Sequence, residues 1–148
     1  MSAACISTVC NRWVTERRFQ RRHLPSNKCV FCPSREDGTG PEDSLEHYFA
    51  CPCLARIIGF EVANLQNHST REVLLLCGTF SKEERIIAAT TTYGIYRLYN
   101  HTKHNPNSLQ SPSDCIQFVK QVLREQANNP TPSVSKALQP IFTFQAPC

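Results

Sequence analysis

Long apolar runs are missing from this chain of 148 residues. None approaches the roughly 20 residues needed to span a bilayer, so no membrane association is expected. The opening stretch MSAACISTVC lacks a charged start followed by an apolar segment, and does not read as a secretory signal. Aspartate is scarce: Asp37, Asp43 and Asp114 are the full set, far apart in the chain. No two-metal carboxylate site is visible among them. A glycine-rich phosphate loop, a Ser/His/Asp set and internal repeats are also lacking. The expectation is a chain that is not an enzyme and takes no small-molecule substrate.

Cysteine, by contrast, is plentiful. There are nine, an odd number. A closed disulfide framework uses an even number and belongs to secreted chains. The thiols therefore read as reduced, in an intracellular protein of nucleus or cytoplasm. Because the first 23 residues are rich in Arg and poor in acid, mitochondrial import is the remaining option.

The net charge of +4 is local. Arg12, Arg17, Arg18, Arg21, Arg22 and Lys28 are opposed within their segment by Glu16 alone, a surplus of five, so the rest of the chain is slightly acidic. A basic tract of this kind marks either a polyanion-binding face, usually for nucleic acid, or a solubilising helix face. The spacing of Ile6, Val9, Cys10 and Trp13 predicts a helix over 3–22. On that helix Arg17, Arg18, Arg21 and Arg22 share less than half of the circumference.

Immediately after the tract comes Cys29-x2-Cys32, then His47-x3-Cys51, a C-x2-C-x14-H-x3-C pattern. A CxxC turn supplies two thiolates from one tight loop. His and Cys four apart lie on one helix face, and together they make a tetrahedral zinc set. The alternative is that these are small core residues. Cys53 can replace Cys51 only poorly, because Pro52 intervenes. With four protein ligands no position is left open for water, so one structural Zn2+ is expected, held by Cys29, Cys32, His47 and Cys51. Cys5, Cys10, Cys77 and Cys115 fall on apolar faces and read as core thiols. His101 and His104 read as dipole partners at a helix C-terminus.

Elsewhere the patterns are helical. Asp43 with Glu46 fits a capping box, Pro52 can open the next helix, and REVLLLC (71–77) is a short helical run. Ser81 and Glu84 cap a buried helix over 81–101, and 113–126 is amphipathic. The fold class is thus mostly α: a small zinc-stabilised turn–helix unit packed with a bundle of three or four helices. Its parts are a basic helix plus zinc unit (1–60), a helical bundle (61–127) and a Pro/Ser/Asn-rich tail (128–148). The tail is expected to be disordered or extended, and can strap a protein partner.

The run of basic tract, CVFC, EDSLEHYFACP and YGIYRLYNHTKH resembles the zinc-binding C-terminal region of non-LTR (LINE-type) reverse transcriptases and reverse-transcriptase-like proteins. The likeness is best over residues 12–60 and weaker to 104. It implies zinc ligation by Cys29, Cys32, His47 and Cys51, and RNA or DNA as partner. The polymerase Tyr-x-Asp-Asp motif and the endonuclease motifs are absent, so the chain reads as a fragment, a decayed copy or a repurposed module. Phosphate contacts would come from Arg12, Arg17, Arg18, Arg21, Arg22 and Lys28, and base stacking from Trp13, Phe19 or Phe31. The rival class is a structural or protein-interaction zinc module, such as a small subunit of a ribonucleoprotein assembly.

Overall fold

A computed structural model describes residues 28–32, 40–61, 65–105, 111–128 and 131–143. The helix expected over 3–22, with Arg12, Arg17, Arg18, Arg21, Arg22, Trp13, Phe19, Cys5 and Cys10, lies outside the described residues, as does Cys148.

Among the described residues six α-helices follow one another: α1 (Leu45–Ala50), α2 (Pro52–Arg56), α3 (Thr70–Leu75), α4 (Lys82–His104), α5 (Pro112–Ala127) and α6 (Pro132–Thr143). A π-helical turn, Ile57–Glu61, extends α2. No sheet forms among the described residues; one isolated antiparallel bridge joins Lys28 to Glu42. The class is mostly α, with the cysteine–histidine cluster beside the short helices, but the three or four helices expected become six.

Serine starts four of these helices. Ser69 and Ser81 form capping boxes with Glu72 and Glu84, and Ser111 forms one with Asp114. Each hydroxyl accepts an orphan N–H at the third helical position. Ser44 caps α1 by accepting from the His47 N–H at 3.2 Å. That corrects the expectation that Asp43 is the cap. Ser44 holds the extended backbone a cap requires, and the Asp43 side chain is engaged elsewhere. Downstream, α3 ends at Leu75 because Leu76 turns left-handed at φ 52°. The run that reads as helical to Cys77 stops short there, and Cys77 is exposed rather than core.

Helices α4, α5 and α6 pack pairwise into a bundle, and α3 bridges α1 to α4. Gly94 sets the closeness of α4 to α5: a Cβ there would meet Val119 Cγ1 at 3.1 Å and Leu123 Cδ1 at 3.4 Å. The seam is lined by Ala88, Ile95, Leu98, Val119, Val122 and Leu123, all buried.

Helix α6 is a second correction. The stretch expected as a disordered or extended tail is helical over Pro132–Thr143, with Ala137 and Leu138 buried. Val134, Ala137, Leu138 and Ile141 recur at i, i+3, i+4 and i+7, a helical stripe that the polar and proline-rich composition masks. Pro132 sits first in the helix, where a missing N–H costs nothing. The apolar face of this segment packs on α4 and α5. No helix among the described residues is long and apolar enough to cross a membrane.

Candidate metal centre

Two short segments build the centre. The bridge between Lys28 and Glu42, together with a Cys29 N–H to Pro41 carbonyl bond of 2.8 Å, brings the CVFC turn back against the start of α1. Helix α1 then carries His47 in its first turn. Pro52 cannot continue α1, so Cys51 becomes the joint that ends α1 and precedes α2. One helical turn separates His47 from Cys51, which puts both on the side facing the CVFC turn.

The ligand atoms converge. Cys32 Sγ lies 3.4 Å from His47 Nε2 and 3.6 Å from Cys51 Sγ, and Cys29 Sγ lies 4.0 Å from Cys51 Sγ. All four atoms fall within 4.8 Å of one another. A disulfide would need about 2.05 Å, and these cysteines are free. Zinc–sulfur bonds of about 2.3 Å and zinc–nitrogen bonds of about 2.0–2.1 Å give tetrahedral edges of roughly 3.5–3.8 Å. The spacing therefore fits the edges of a zinc tetrahedron, and the residues present are able to hold one Zn2+ in a structural role. Among the described residues this is the cluster with metal-ligating potential. Cys53 is half-buried nearby but stands outside the four.

Electrostatics within the cluster point the same way. The Cys51 thiol is drawn down to about 5, chiefly by the hydrogen bond from Cys29 and also by the Leu54 and Cys53 amides. Cys29 is pushed up by that same bond and then by burial. Cys32 is pushed up to about 12, first by burial and then by the charge on Cys51. Three thiolates in so small a pocket repel one another. A dication supplies the charge that lets three thiolates share it.

No family model, characterised protein or solved structure matches this chain. The likeness to LINE-type reverse transcriptases therefore stands on its motifs alone, and what is established is a CCHC-like cluster able to chelate zinc.

Of the residues expected to touch nucleic acid, Lys28 is described. It is half-buried at the bridge, its side chain running beside Gly40. The five arginines lie outside the described residues. Phe31, considered for base stacking, is buried at 5% exposure and packs edge-on against Tyr48. It is a core ring because the turn that presents Cys32 must cover the start of α1. His101 lies against Phe118, ring centroids 5.0 Å apart, while His104 is exposed.

Sequence reasoning missed the group behind the ligands. Asp43 is fully buried and engages Tyr48, Tyr99 and Lys103. The Tyr48 hydroxyl is pushed up by burial and then by the Asp43 charge. Nothing in spacing alone would have found these four, which come from separate parts of the chain.

Proposed function

We propose that this chain is a zinc-dependent nucleic-acid-binding module, similar in kind to the C-terminal zinc-binding region of LINE-type reverse transcriptases. One zinc, held by Cys29, Cys32, His47 and Cys51, would fix the turn on helix α1. The arginine tract that leads into Cys29 would then be presented from a rigid base. The observation that carries this reading is the pairing of a converging CCHC cluster with a net +5 segment directly before it. Such a module acts by binding rather than by catalysis, since the four-residue set leaves zinc no open position. Its partner is RNA or DNA inside the cell.

The test is a salt titration of binding to RNA and to duplex DNA, with and without chelator. Six phosphate contacts at about −0.9 each would give a slope of log K against log salt near −5 on duplex. Replacing Arg17, Arg18, Arg21 and Arg22 by alanine should flatten the slope and weaken all sequences alike, because phosphate contacts carry no base identity. If the quadruple variant binds as the wild type does, or neither binds at low salt, the chain is a protein-interaction zinc module instead.

A further inference from the structure

We propose that Asp43 is a positioning residue for the metal centre: its carboxylate, held by Lys103, Tyr99 and Tyr48, docks the ligand-bearing helix α1 on α4 and sets zinc affinity from outside the ligand set. This rests on the zinc reading above and goes beyond it. Asp43 is 0% exposed, a rare state for a carboxylate, kept only where partners replace water. The partners come from two sides. Tyr48, on α1, donates its hydroxyl to Oδ1. Lys103 Nζ reaches Oδ2 at 2.7 Å and the Tyr99 hydroxyl reaches it at 3.4 Å, both from the end of α4.

Each partner abuts the ligands. Tyr48 follows His47 in the chain, and its ring meets the imidazole edge-on at 6.1 Å. Phe31, immediately before Cys32, lies 5.3 Å from Tyr48 and 6.4 Å from Tyr99. Tyr48 and Tyr99 are 6.0 Å apart. Both ligand segments, the CVFC turn and α1, therefore reach α4 through three rings, and Asp43 closes the polar end of that stack. Two simpler roles fail. Ser44, not Asp43, caps α1, and a fully buried carboxylate is not a surface ion pair. Since coupling is reciprocal, whatever Lys103 does for α1, zinc does for the end of α4.

The experiment measures zinc affinity of the full chain by competition with a chromophoric chelator, and the Co2+ absorption spectrum as a report on ligand geometry. Asp43→Asn and Lys103→Met should each weaken zinc binding about 10–100-fold, the usual range for groups that orient ligands from behind. The double variant should lose less than the product, because the two act as a unit. Arg97→Ala, which breaks an exposed pair on the same helix to Glu125, should leave affinity unchanged. Val119→Ala should destabilise the bundle and also leave it unchanged, which separates positioning from general stability. Zinc affinity of Lys103→Met equal to that of wild type, or no weaker than that of Val119→Ala, overturns the proposal. Should Lys103→Met fail to fold, Tyr99→Phe decides: a measurable loss supports the proposal and wild-type affinity overturns it. A wild type that takes up no zinc overturns the metal reading and this one together, whereas a zinc-binding wild type with unaffected variants overturns positioning alone.

Discussion

Removing zinc should unfold one end of this protein and spare the other. Helices α1 and α2 have six and five residues, well under the roughly 12–15 at which an isolated helix becomes even marginal. Structural zinc contributes roughly 10–16 kcal/mol in small fingers near neutral pH, comparable to the whole stability of an ordinary domain, about 5–15 kcal/mol. The segment 28–61 also buries Phe31, Tyr48, Leu54, Ile57 and Ile58 in the core it shares with the bundle, but its helices are too short to persist once the metal no longer holds the CVFC turn on α1. The bundle is different: α4, α5 and α6 have 23, 16 and 12 residues and an apolar seam of their own. Helices α1 and α2 with the π-turn hold 16 of the 73 helical residues among those described, so a chelator should abolish about a fifth of the far-ultraviolet helical signal that these residues contribute. Hydrogen exchange should locate the loss. Protection should vanish over 44–58 and at the last turn of α4, where Lys103 faces Asp43, and persist at Ile95, Leu98, Val119 and Leu123. Cys29→Ser and His47→Ala should reproduce the chelated state, and added zinc should restore the chelated wild type. Retained protection over 44–58 after complete metal removal would refute the reasoning. So would collapse of the whole bundle along with it.

Two neighbouring threonines make a sharper comparison. Thr92 Oγ1 donates to the Val73 carbonyl at 3.1 Å, so Thr92→Val should cost about 1 kcal/mol by removing one of that carbonyl's two donors, the Leu76 N–H at 3.3 Å being the other. Thr91 Oγ1 is buried with no hydrogen-bond partner among the described residues, so Thr91→Val should be neutral or stabilising in thermal denaturation; equal losses for both would sink the assignment. Acid should act on the caps. The Glu84 carboxyl is held below its ordinary value, first by the Ser81 N–H and then by its hydroxyl, and Glu72 by Ser69, first through the hydroxyl and then through the N–H. A depressed carboxyl stabilises above its unfolded value of about 4.3 and loses that contribution as pH falls through the lower folded value. Glu72→Gln with Glu84→Gln keeps capping acceptors and should flatten the acid limb of stability relative to wild type; an unchanged limb would show that the caps do not drive it.

What could be read in advance follows from how local each feature is. The four-residue cluster was legible because CxxC and HxxxC are short spacings, each satisfied within one turn or one helix face. Helices α4 and α5 were legible for the same reason, their apolar periodicity and the Ser81–Glu84 pair being local patterns. Helix α6 was not, because the prolines and polar residues in and around it hide four apolar residues at helical spacing that decide its structure. Asp43 is the instructive failure. With Glu46 three residues on it has the letters of a capping box, and local reasoning assigns it that role. The cap is shifted by one because Ser44 can cap equally well, and that frees Asp43 for partners the local sequence does not contain. Lys103 lies 60 positions away and Tyr99 lies 56 away. A carboxylate can be buried only where such partners arrive together, and that meeting is decided by the packing of α1 against the end of α4. The residue that ties the metal unit to the bundle is for this reason the one a reading along the chain assigns elsewhere.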